Sequence, residues 1–263
     1  LDWLSIRLLR HVMGRIEFKG IYKSFGDKHV LRGVDLEVDP GEVFFIIGQS
    51  GAGKSVLVKH LIGLLRPDKG RVYLDGEDVT DLSEKEFYPI RKRCAMVFQN
   101  STLFDSMTLL ENVALPIRKH RPVSDEEANE QAMERLRQVG MERYSGRFPA
   151  DFGDGMRKKV AIARALTLDP EYIIFDEPTT GIDPISAAMV DKLIRHLADN
   201  IGVTSIVISH DLRSIFGIAD RIAMLYQGEL ILDGTPEFFK NCDHPVVQQF
   251  INGRPDGPME DPQ

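Results

Sequence analysis

Apolar residues along the chain change period several times, and each change predicts an element. Over residues 15–39 they alternate with polar ones (Ile16, Phe18; Val30, Leu31, Val34, Leu36, Val38) around the turn Phe25-Gly26-Asp27, the pattern of short β segments. The unbroken run Val43-Phe44-Phe45-Ile46-Ile47 predicts a strand. After it, Leu57, Leu61, Leu64 and Leu65 fall at i, i+4, i+7 and i+8, which predicts a helix packed on a core. Residues 70–74 read as another strand, and Ser83-Glu84-Lys85-Glu86 as a capping box that opens a helix toward Arg93. Ala95-Met96-Val97-Phe98 reads as a buried strand ending in Gln99.

Between residues 100 and 168 strand signals fade. Residues 108–115 are helical in period, and Ser124-Asp125-Glu126-Glu127 caps a second helix through Val139. Residues 151–159 then precede a helix reaching Leu168, so the whole stretch reads as an inserted helical subdomain. The sheet resumes at Tyr172-Ile173-Ile174-Phe175, apolar enough for a strand buried on both faces, which ends in Asp176-Glu177-Pro178. Asp183-Pro184 caps a helix with Ile185, Met189, Leu193 and Leu197 on one face. Residues 203–208 predict a strand running into Ser209-His210-Asp211, and residues 221–226 and 229–232 an antiparallel pair closing around Gln227-Gly228. The alternation of strands and helices is that of the α/β class.

At 263 residues and 43% hydrophobic content, the chain can bury one large domain or a domain carrying an inserted subdomain. A net charge of −7 argues against a nucleic-acid-coating surface, and no nucleic acid is expected as a partner. The basic clusters Arg91-Lys92-Arg93 and Arg118-Lys119-His120-Arg121 sit at helix ends or in loops, where they compensate helix dipoles. Cys94 and Cys242 stand far apart, without partners at metal-ligand spacing, which fits a reducing compartment. No apolar run approaches the roughly 18 residues of a membrane helix, and a cytoplasmic chain is expected. Residues 1–14 form a leader whose Trp3, Leu4, Ile6, Leu8, Leu9 and Val12 pattern as an amphipathic helix. A surface anchor fits it, and so does a true start at Met13 with an artefactual leader.

The candidate chemistry begins at Gly48-Gln49-Ser50-Gly51-Ala52-Gly53-Lys54-Ser55, between a strand and a helix. That context makes it a phosphate-binding P-loop: the glycines let successive N–H groups converge on an anion, and the helix N-terminus adds partial positive charge. Lys54 can reach β- and γ-phosphates, and the Ser55 hydroxyl can ligate a bridging Mg²⁺. Asp176 is placed to hold Mg²⁺ through water, and Glu177 to polarise a water for in-line attack on the γ-phosphate. Gln99, at the end of its strand, can touch Mg²⁺ or that water, and His210 can sense the γ-phosphate at the same sheet edge. Phe25 can stack on an adenine, a contact worth about 1–3 kcal/mol.

The P-loop, Gln99, the glycine-rich segment at 151–156, Asp176-Glu177, Asp183 and His210 occur in the order found in ATP-binding-cassette (ABC) transporter ATPases, which the chain resembles over residues 15–240. The resemblance implies a RecA-like parallel-sheet core with an antiparallel β subdomain, a helical subdomain over about residues 100–168, and a C-terminal extension at 241–263. It implies a homodimer closed head to tail on two ATPs, each held by one subunit's P-loop and the other's signature segment, here Gly153, Asp154 and Gly155. It also implies adenine stacking on Phe25 and a dimer contact along Thr180-Gly181-Ile182-Asp183.

Within that superfamily, residues 103–108, 215–220 and 249–258 resemble the ATPase of Mla/Mce-type phospholipid trafficking systems. The extension of that family reaches the sister subunit. The implied partners are an integral-membrane permease, a STAS-domain protein and an MCE-domain lipid carrier, with the ATPase at the cytoplasmic face of the inner membrane. One departure stands out. The family's signature is Leu-Ser-Gly-Gly followed by Gln or Met, whereas this chain has Phe152-Gly153-Asp154-Gly155-Met156. Gly153 lacks the hydroxyl that would bond the γ-phosphate, and Asp154 brings a carboxylate, so both weaken the closed dimer unless Asp154 turns away to cap the next helix. Two alternatives stay open: a nucleotide-binding regulatory subunit of weak turnover, and an ABC ATPase serving another substrate.

Overall fold

In the computed structural model, residues 15–259 are described; the expected amphipathic leader lies outside them. The alternating segments form β1 (Ile16–Phe25) and β2 (Lys28–Val38), which join β4 (Lys69–Leu74) and β5 (Glu77–Asp78) in an antiparallel sheet of order β2-β1-β4-β5. The register sets Ile16 opposite Val38 and Phe18 opposite Leu36, which gathers the apolar side chains on one face.

The second sheet has the order β10-β9-β3-β8-β7-β6, with β3 (Val43–Ile47), β6 (Cys94–Val97), β7 (Tyr172–Asp176), β8 (Thr204–Ile208), β9 (Arg221–Tyr226) and β10 (Glu229–Gly234). Its pairs are parallel except β9 with β10, the closing antiparallel pair expected around Gln227-Gly228. Successive residues of β3 serve opposite cores. Phe44 and Ile46 face the antiparallel sheet with Phe18, Val34 and the Leu57 and Leu61 of α1 (Lys54–Leu61). Phe45 and Ile47 face α6 (Pro184–His196), α7 (Leu212–Ile218) and α8 (Pro236–Asn241) through Val190, Ile194, Ile215 and Phe239. Each such fully buried side chain contributes about 1.5–3 kcal/mol.

Helix α2 (Glu84–Arg93) begins at the expected capping box. The helical subdomain has its own core, in which Leu109, Val113 and Ile117 of α3 (Leu109–His120) meet Ala128, Ala132 and Leu136 of α4 (Asp125–Gln138) and Val160 of α5 (Asp154–Ala165). Thr108 and Ser124 cap α3 and α4 through reciprocal bonds with Glu111 and Glu127.

Three expectations need correction. Helix α1 ends at Leu61, because Gly63 turns the chain at φ 66° where a Cβ would strike the Phe87 ring at 2.6 Å; Leu64 is therefore half exposed. Helix α6 buries Ala187, Val190 and Ile194, and Leu197 just beyond its end is buried as expected, while Ile185 and Met189 stand 71% and 48% exposed. It carries two apolar stripes, and periodicity alone does not say which one meets the sheet. Strand β6 is an edge, not a fully buried strand, with Ala95 and Met96 only partly covered. Helix α8 and, within the extension, α9 (Pro245–Asn252) are not assigned from the sequence.

Candidate active site

Strand β3 delivers the glycine loop to the C-terminal edge of the parallel sheet, where ligands of α/β folds bind. Two glycines are sterically required: at Gly48 (φ 140°) a Cβ would sit 2.1 Å from the Leu225 carbonyl oxygen, and at Gly53 (φ 101°) 2.6 Å from the Leu31 side chain. Lys54 opens α1 and is only 8% exposed. Its Nζ donates to the carbonyls of Gly48 at 2.8 Å and Gln49 at 2.9 Å. Burial pulls its pKa below the ordinary lysine range, while Glu177 and Asp176 push it back up.

The acids come from the end of β7, two strands along the sheet from β3. The Ser55 hydroxyl donates to Oδ1 of Asp176 at 2.9 Å, so two hard oxygens lie side by side at the loop. Glu177 follows with a left-handed backbone, φ 52°, fixed by its N–H bond to the Ile208 carbonyl at 2.9 Å. Its Oε2 accepts from Thr180 Oγ1 at 2.9 Å and lies 2.9 Å from Nδ1 of His210. One cleft of about 790 Å³ is lined by Phe25, Gly48, Gln49, Ser50, Gly51, Gly53, Lys54, Ser55, Gln99, Asp176, Glu177 and His210. Phe25 is 47% exposed at its rim, with the Lys23 ammonium 5.5 Å from its ring centre. Of the expected loop residues only Ala52 does not line the cleft; its methyl points into the core beneath.

The ABC transporter family model matches residues 31–180. The chain belongs to the ABC transporter ATPases. It is 41% identical over 244 residues to the probable ribonucleotide transport ATP-binding protein mkl of Mycobacterium leprae, covering 93% of this chain and 70% of that one. It is 37% identical to the intermembrane phospholipid transport system ATP-binding protein MlaF of Haemophilus influenzae, covering 93% and 92%. Among solved structures, a dimeric ATP-binding cassette in a post-hydrolysis state bound to ADP and Pi superposes with TM-score 0.77 at 33% identity, covering 84% of this chain and 98% of that one.

The segment expected to serve as the signature, Gly153, Asp154 and Gly155, lies outside the chain's own cleft, at the start of α5. Gly153 is the N-cap and offers no side chain. Asp154 does not cap the helix; its carboxylate turns along it to accept from Arg157 at 2.5 Å. Gly155 packs so closely on α6 that a Cβ would meet Ser186 at 2.6 Å.

Several roles at the cleft do not follow from the sequence, where Thr180 is expected only along a dimer contact and Phe250 only within the family-like stretch 249–258. Thr180 orients Glu177, and Phe250 of α9 lines the cleft. Lys158, within the basic run Arg157-Lys158-Lys159, is buried against Gln99 and Glu177. Only Thr180 carried a signal, its place three residues after Glu177.

Proposed function

We propose that two copies of this ABC ATPase close head to tail on two ATPs, each clasped between the P-loop of one copy and Gly153, Asp154 and Gly155 of the other. Lys54 and the loop N–H groups hold the β- and γ-phosphates, and Phe25 stacks on the adenine. The adjacent oxygens of Ser55 and Asp176, with the Gln99 side chain in the same cleft, suit Mg²⁺, which takes few protein ligands and completes its shell with water and phosphate. Bound Mg²⁺ would neutralise charge developing between the two terminal phosphates. Glu177 accepts a proton from the attacking water, and His210 holds the carboxylate and the γ-phosphate in register. The observation that carries this reading is the Glu177–His210 pair at 2.9 Å beside Lys54 and Asp176 in one cleft.

Turnover drives phospholipid movement between membranes through a permease, with the ATPase held at the cytoplasmic face of the inner membrane. Among the described residues no helix is long and apolar enough to cross a membrane. A STAS-domain protein and an MCE-domain lipid carrier complete the assembly. The relatives' names divide between phospholipid and ribonucleotide cargo, and the residues supporting lipid are those at 103–108, 215–220 and 249–258. Purifying the ATPase with its permease and identifying what travels with it tests the assignment: phospholipid supports it, and ribonucleotides other than the bound ATP or ADP overturn it.

A further inference from the structure

Helix α5, which begins at the signature, carries two largely buried cations that the roles above leave unused. Lys158 is 2% exposed, and its Nζ donates to the carbonyl oxygens of Gln99 at 2.9 Å and Glu177 at 3.1 Å. Arg164, further along the same helix, donates to the Thr102 carbonyl at 2.9 Å, to Thr102 Oγ1 at 3.0 Å and to the Ser101 carbonyl at 3.3 Å. Three of the residues so held have left-handed backbones: φ is 52° at Glu177, 59° at Ser101 and 47° at Thr102. Side chains other than glycine keep that conformation only where the surroundings enforce it.

A buried ammonium with only main-chain acceptors is costly unless negative charge stands near it. Burial pulls Lys158 below the ordinary lysine range, and Asp154 and Glu177 push it back up. Asp154 lies one turn before Lys158 on α5, at the spacing of a helical charge pair.

We propose that Lys158 is a positioning residue for ATP hydrolysis, tying the signature helix to the main chain at Gln99 and Glu177 and so fixing where the Glu177 carboxylate points. Its bond to the Glu177 carbonyl and the Glu177 N–H bond to Ile208 together hold the left-handed turn at Glu177. Because α5 begins at the segment that faces the partner's ATP, Lys158 also makes that helix a rigid link between the two sites of the dimer. The inference rests on Glu177 being the base.

Steady-state ATPase assays, ATP binding and thermal melts of Lys158→Met and Lys158→Gln, with Glu177→Gln alongside, test it. Methionine keeps the apolar stem and removes every donor; glutamine keeps a neutral one. The expected result is a kcat more than tenfold lower in Lys158→Met, an intermediate value in Lys158→Gln, and KM and Kd for ATP within threefold of the parent. Unchanged kcat, or kcat and affinity falling together, overturns the proposal. Loss of folding in both variants does so too, since it assigns Lys158 to the scaffold. Retained turnover in Glu177→Gln would instead remove the base assignment, and with it the purpose of the brace.

Discussion

Gln49, in the nucleotide loop, donates its side-chain amide to the main-chain carbonyl of Met259 at 2.8 Å, so the end of the described chain touches the start of the phosphate cradle. The contact is built from both sides. Gln249 Oε1 accepts from the Met259 N–H at 2.7 Å, the Tyr226 hydroxyl donates to the Pro258 carbonyl at 2.7 Å, and the Met259 side chain is buried. The described extension therefore packs on its own cleft.

Ending the chain after Asn252 should weaken ATP binding. One neutral hydrogen bond contributes about 1 kcal/mol, and tenfold in affinity corresponds to about 1.4 kcal/mol, so a loss of roughly fivefold is expected. Titration calorimetry of the full and shortened chains measures it, and equal affinities would show that the tail does not brace the loop. Sedimentation of the same pair tests a separate expectation, carried by the family resemblance, that the extension also supports self-association.

Gly153 takes a serine without strain: its φ is −69°, and a Cβ added there would have nothing within 4 Å. Replacing an N-cap glycine by serine alters helix stability by only a few tenths of a kcal/mol. Across a closed dimer the new hydroxyl would gain a charge-assisted bond to the γ-phosphate of about 1.5–3 kcal/mol. Gly153→Ser should thus strengthen ATP-driven dimerisation about tenfold or more while leaving Tm and the monomer's ATP affinity nearly unchanged. Equal dimerisation of variant and parent would place residue 153 away from the partner's phosphate.

Asp191 on α6 gives the pH dependence a sign. Its Oδ2 accepts from Ser214 Oγ at 2.8 Å, but Oδ1 is buried with no partner among the described residues. Burial raises its pKa from 3.8 to about 6, with the Ser214 bond opposing and Asp211 adding to the rise. In that interval the unfolded chain has already released a proton that the folded chain keeps, so stability falls as pH rises from about 4 to about 6. Asp191 is partly solvated, which holds the effect to about 1 kcal/mol. Chemical denaturation at several pH values should show this slope in the parent and a flatter one in Asp191→Asn; identical slopes would remove Asp191 as its source.

The residues legible in the sequence are those whose roles follow from local geometry. A glycine loop between a strand and a helix, and a strand ending in two carboxylates, bring Lys54, Ser55, Asp176 and Glu177 to one sheet edge whatever the rest of the chain does. The remainder depends on long-range packing. Which stripe of α6 is buried is decided by the sheet against it, so Met189 and Val190 look equivalent until that sheet is in place. Lys158 reads as one cation in a charged run because nothing nearby in sequence announces the carbonyls of Gln99 and Glu177. The Met259 contact to Gln49 joins residues 210 positions apart, a pairing no local pattern announces.

Glu177→Gln decides the central claim, that Glu177 activates the water in a site completed by a second copy. The substitution keeps the side chain's size and removes its basicity, so single-turnover hydrolysis should slow at least a hundredfold, within the range of one general base. ATP should bind with unchanged affinity, and the variant should accumulate as an ATP-bound dimer in sedimentation. Hydrolysis at the parent's rate, or a variant that stays monomeric with ATP bound, would contradict the account.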